Sequence, residues 1–83
     1  MTNPVLDTES YLERLLTRLG QSVAGRYKTG TVANVLGWSR EWVRQRTELP
    51  AGHRLHIRSV REHSHRVIPH EELVRLIRDE SAP

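Results

Sequence analysis

The stretch VANVLGWSREWV, residues 32–43, most narrows what this chain can fold into. Val32, Ala33, Val35 and Leu36 form one short apolar helix face, entered near Lys28 or Thr29. Gly37 can take the left-handed backbone conformation that ends a helix without strain. Ser39 can then cap a second helix by accepting a hydrogen bond from a backbone N–H two or three residues on. That helix is expected from Arg40 to Arg46 or Thr47, and Pro50 limits it. Ala33 is small enough for the second helix to cross close over the first. Gly37 makes the sharp turn, and Val43 fills the angle between the helices. Residues 29–47 therefore read as a helix-turn-helix.

The flanking segments supply what such a pair needs to bury. Residues 1–9 read as a flexible tail, and residues 10–80 as one domain. Leu12, Leu15, Leu16, Leu19 and Val23 recur at spacings of three and four, which predicts an N-terminal helix over 10–25. Ser10 and Glu13 have the spacing of a capping box, and either Gly20 or Gly25 can end the helix. The leucine stripe fits core packing, or a seam between two copies or a cooperative array of copies. Beyond Pro50, Leu55 and Ile57 alternate with His56 and Arg58, a strand pattern, and Val67 and Ile68 suggest the return strand. Residues 54–68 are thus expected to form a hairpin wing, with Val60 to Ser64 as its polar connection. Pro69 suits the first turn of a last helix over 69–79, with Glu71 and Glu72 near its positive end and Leu73, Val74, Leu76 and Ile77 on its inner face. The fold class expected is mainly α with a small β-hairpin: a winged helix-turn-helix with an extra N-terminal helix.

Charge is unevenly placed. Residues 26–66 carry eight arginines and Lys28 against Glu41, Glu48 and Glu62, a net of +6, whereas both flanks are net acidic. The excess is almost all arginine, whose planar fork matches phosphates and guanine edges. An 83-residue chain has a thin core and no room for a large enclosed active site. It has no cysteine, no nucleophile elbow, no phosphate-binding glycine loop and no paired carboxylates on an evident cleft. No enzyme, no cofactor and no metal site is expected. His53, His56, His63 and His65 lie close in sequence, but without thiolates they read as wing residues rather than zinc ligands. The N-terminus has no signal-peptide pattern, and no apolar run approaches the roughly 20 residues that span a bilayer. The expectation is a cytoplasmic protein with no membrane partner.

With the wing and the ending VIPHEELVRLI in view, the chain resembles the winged helix-turn-helix domains of the MerR-like superfamily over roughly residues 27–77. It is most similar to the small phage excisionases and related small DNA-binding proteins. The motif residues are Tyr27 as the apolar residue opening the first helix, Val32-Ala33, Leu36-Gly37-Trp38-Ser39, Arg40 and Val43, and Ile68-Pro69 with Leu73. The sequence departs from the family's pattern at Arg46, where a bulky apolar residue is usual. It departs also at Trp42, which fits either inward packing or a place against DNA, and in the short stretch before Glu48-Leu49-Pro50. The resemblance implies duplex DNA as partner, and a role in excision or transcription regulation on the nucleoid of a bacterial or phage-infected cell. The competing expectation is a winged-helix assembly module, such as a small terminase-type subunit, that acts mainly through protein contacts.

A recognition helix offers long polar side chains on the face away from the core. With Val43 inward, the base-reading candidates are Ser39, Arg40, Glu41, Arg44 and Gln45. Arginine can hold guanine bidentately and glutamine can pair with adenine. Arg26, Lys28 and Arg46 are expected on phosphates, which position without specifying. Arg54, Arg58, Arg61 and Arg66, with His63 and His65, are expected to line a wing that enters a minor groove or grips the flanking backbone.

Overall fold

The computed structural model describes residues 4–81, with side chains described from residue 8 to residue 80. Along the chain run helix α1 (Pro4–Arg18), strand β1 (Arg26–Lys28), helices α2 (Thr29–Leu36) and α3 (Arg40–Thr47), strands β2 (Val60–Glu62) and β3 (His65–Pro69), and helix α4 (His70–Ser81). The three strands form one antiparallel sheet in the order β1-β3-β2. Among the described residues the fold is four helices with a small sheet, rather than helices with a two-stranded hairpin alone.

The α2–α3 corner follows the local chemistry of its residues. Gly37 sits at φ +72°, and its N–H and that of Trp38 both bond to the Ala33 carbonyl, at 2.9 Å for Trp38. These bonds satisfy carbonyl groups that a helix end otherwise leaves open. Ser39 Oγ accepts from the Trp42 N–H at 3.1 Å and opens α3. Ala33 and Val43 are both buried where the two helices pack.

α1 begins earlier than expected. Proline is well suited to a first helical turn, where its missing N–H would have no partner, and Pro4 opens this helix. Most of the segment expected as a tail is therefore helical, residues 1–3 of it lying outside the described residues, and Ser10 is inside the helix rather than at its cap. The helix stops at Arg18. Gly20 takes φ +72°, the Gln21 N–H bonds to the Leu16 carbonyl at 2.8 Å, and the Gly20 N–H bonds to that of Thr17 at 3.0 Å. The chain then runs without regular structure to β1, so the helix does not reach Gly25. Leu12 and Leu16 are fully buried, and α1 packs on α4 and α2. Of the leucine stripe, Leu12 and Leu16 pack within the chain and Leu15 is partly buried, while Leu19 and Val23 are exposed.

β1 was not foreseen. Tyr27, expected to open the first helix, is buried in this strand opposite Ile68 of β3. Its hydroxyl accepts from the Ala24 N–H at 3.1 Å and meets His70 Nδ1 at 2.8 Å, while His70 Nε2 lies 3.0 Å from Glu9. One polar chain thus ties α1, β1 and α4 together.

The strand expected at Leu55–Ile57 is absent. Its backbone groups find partners on α3 instead of on a neighbouring strand. Arg46 Nε donates to the Leu55 carbonyl at 2.7 Å, and the Ile57 N–H donates to the Arg46 carbonyl at 3.1 Å. The hairpin starts only at Val60, within the segment expected as its connection, and turns at His63-Ser64 with His63 at φ +57°. A left-handed residue in a two-residue loop matches the twist of the flanking strands, and histidine tolerates it better than a β-branched residue would. α4 carries Leu73, Val74, Leu76 and Ile77 into the core as expected.

Candidate nucleic-acid interface

Arg46 is not on the surface. It is 2% exposed, with its guanidinium carbon 4.8 Å from the centre of the Trp38 ring and 5.8 Å from that of Trp42. Besides Leu55 it reaches Glu80 at 3.4 Å. The expected phosphate contact is thus corrected: the two indoles accept the cation on their electron-rich faces, and a backbone carbonyl takes its Nε proton. The position at which the resemblance led one to expect a bulky apolar side chain is filled by a buried arginine. Trp42, 39% exposed, covers this cation with one part of its ring and meets solvent with the rest.

The open face between the start of α2, α3 and the β2–β3 hairpin is a groove of about 580 Å³. It brings together Lys28, Arg40, Arg44, Arg61, His65 and Arg66, six of the residues proposed from sequence. Lys28, Arg40 and Arg61 make no ion pair with any described residue. Arg66 donates to Ser59 Oγ at 3.2 Å and makes no ion pair with any described residue. The groove floor also holds Thr29, Gly30, Thr31 and Asn34, which sequence reasoning passed over. Their signal was the polar side of α2, opposite the apolar face that defined the helix. Gly30 has a specific part in it. A Cβ there would lie 3.2 Å from an Arg40 guanidinium nitrogen, so the bare backbone lets Arg40 lie flat on the first turn of α2.

Arg44 is held differently. Its Nε donates to Glu41 at 3.1 Å, a second nitrogen also donates to Glu41, and Nη1 donates to Glu48 at 2.9 Å. The hydrogen bond from Arg44 holds the Glu41 carboxyl below its ordinary range, and the same bond raises the Arg44 guanidinium. Gln45 Nε2 leans on the same Glu41 oxygen at 3.5 Å. The outer face of α3 is therefore a network of its own charges rather than a row of free readers. Ser39, Glu41 and Gln45 do not line the groove, and Ser39 is engaged as the cap.

The remaining arginines are distributed elsewhere. Arg26 pairs with Glu62, and Arg58 pairs with Glu71 at 3.1 Å on the side of α4. Arg54 lies in the turn after α3 and His63 at the hairpin tip, both exposed and both outside the groove lining. His53 Nδ1 accepts from the Leu55 N–H at 3.0 Å, and His56 Nδ1 meets the Leu49 carbonyl at 2.8 Å, so these two rings shape the turn. Among the described residues no three His, Cys, Asp or Glu side chains are grouped to hold a metal ion. No helix among them is long and apolar enough to cross a membrane.

Comparison with known protein families, with curated proteins and with solved structures finds no match to this chain.

Proposed function

We propose that this chain is a winged helix-turn-helix domain that binds duplex DNA, with α3 toward the major groove and the β2–β3 hairpin as its wing. One observation carries the reading: Lys28, Arg40 and Arg61, from three separate elements, converge unpaired on one groove beside Arg66. Folding leaves cations without carboxylate partners at a cost in self-repulsion, which a polyanion relieves. The groove also borders an eight-residue helix, the kind of element that a major groove admits. Within this reading we propose a role in excision or in transcription regulation, in the cytoplasm of the cell. The assembly-module reading has less support, because Leu12 and Leu16 face the chain's own core.

A salt titration of duplex binding tests the proposal. The logarithm of the association constant should fall linearly with the logarithm of salt, with a slope of about −0.9 per phosphate neutralised. Absence of any binding to random duplex at low salt would sink it.

A further inference from the structure

Glu48 is the one carboxylate among the residues lining the groove, and it lies on Arg44. The two facts belong together. Arg44 is gripped by Glu41 along one side and by Glu48 at Nη1, so this arginine and its two carboxylates carry a local charge of −1. All three groups are about half exposed, and the network sits on the surface of α3 where a ligand can reach it. Lys28, Arg40 and Arg61 have no such counter-charges.

A phosphate and a base edge respond differently to that contrast. A phosphodiester carries a full negative charge and is drawn to the unpaired cations, while the net negative network repels it. A guanine edge is neutral and offers two acceptors, N7 and O6, to a guanidinium. The bonds to Glu41 and Glu48 use three of the five N–H donors of Arg44, which leaves two for a ligand. Glu41, bonded through two nitrogens, also fixes the plane of the fork, so little orientation remains to be lost on contact.

We infer that Glu48 is a specificity-determining residue that keeps phosphates off Arg44 and reserves this arginine for a base edge. The inference rests on the duplex-binding reading proposed above. Its chemistry is exclusion: the carboxylate weakens binding everywhere on DNA, and weakens it most where Arg44 would otherwise settle on the backbone. A groove with the same cations and no Glu48 would bind more tightly and choose less well.

The test is Glu48→Gln, which removes the charge and keeps the shape and an acceptor for Arg44. Parent and variant are each titrated with a random duplex and with the duplex enriched by the parent from a library, over a range of salt. Affinity for random duplex should rise, and its salt slope should steepen by about 0.9, one further phosphate. The ratio of enriched to random affinity should fall about fivefold or more, the lower end of what one base contact discriminates. Glu71→Gln, which frees Arg58 outside the groove, should leave that ratio at the parent value. Equal melting temperatures for parent and Glu48→Gln exclude a merely structural effect. A parent that binds duplex, with a Glu48→Gln variant of unchanged slope and ratio, overturns this inference alone. A parent that binds no duplex at low salt overturns the duplex-binding reading and this inference with it.

Discussion

The guanidinium carbon of Arg46 lies over the Trp38 indole, 4.8 Å from the ring centre, inside a domain whose other large, fully buried side chains are aliphatic. A second indole, a backbone carbonyl and Glu80 complete its surroundings. The arginine acts as a core residue, and its contribution is area and stacking as much as charge.

Substitution at this position should separate stability from binding. Arg46→Ala empties the space between the indoles and should cost about 2–4 kcal/mol of stability. Arg46→Met refills it and should stay within about 1.5 kcal/mol of the parent. The informative quantity is the salt slope of duplex binding by Arg46→Met. It should equal the parent's, because a buried guanidinium neutralises no phosphate.

Groove arginines should behave otherwise. Arg40→Ala and Arg61→Ala should each flatten the salt slope by about 0.9 and weaken random and preferred duplexes alike. Arg54→Ala and Arg58→Ala, outside the groove, should change the slope less. A titration in which all four variants gave the same slope would contradict the placement of the interface.

Gly30→Ala isolates the seat of Arg40. Alanine is a better helix former than glycine by about 1 kcal/mol, and the contact it makes is with the movable end of a side chain. Melting temperature should hold or rise slightly, while duplex affinity drops as Arg40 is lifted from α2. Loss of both together would mean that the glycine serves the fold rather than the groove.

Ala33→Leu tests the helix crossing. The added carbons meet α3 in a site already buried, and overpacking of this kind costs about 1–3 kcal/mol. In a domain this small that is a large share of the total. Thermal melting and duplex affinity should fall together, whereas Ala24→Leu, at an exposed position, should disturb melting far less.

Acid stability should depend on Glu72. Burial pushes its carboxyl up, but the hydrogen bonds from the Arg75 side chain and the Arg58 backbone N–H outweigh this and hold it below its ordinary value. A value depressed in the folded chain means that the unfolded chain takes up the proton more readily. The stabilisation is therefore fully present above the unfolded value of about 4.3 and is lost as pH falls through the folded one. Melting curves between about pH 5 and pH 3 should shift more steeply for the parent than for Glu72→Gln.

The legible parts of this fold were those set by neighbours in sequence. The turn at Gly37, the cap at Ser39 and the apolar faces of α2 and α4 depend on residues within one or two helical turns, and the structure has them where the sequence implied. β1 escaped notice because it is three residues long, with one buried side chain, and exists only by pairing with a distant strand. The alternation at Leu55–Ile57 misled for the opposite reason. A period of two records which side chains turn inward, but not whether another strand is available to take the backbone bonds. Arg46 misled because charge reads as exposure unless the two flanking tryptophans are recognised as its cover. The arginines of residues 26–66 were identifiable as a class. Their inequality was not, since it depends on which carboxylate each one meets after folding: Glu62 for Arg26, Glu71 for Arg58, Glu41 and Glu48 for Arg44.

The position of β3 between β1 and β2 has a kinetic consequence. Its pairing with β2 closes a two-residue turn and can form early from local contacts. Its pairing with β1 joins Lys28 to Val67 and encloses α2, α3 and the hairpin in a single loop. Until that loop closes, Tyr27 has no partner strand and α1 has only part of its docking surface. Non-local pairing of this kind closes later than a two-residue turn, so the β1–β3 ladder should gain protection from hydrogen exchange after the β2–β3 ladder during refolding.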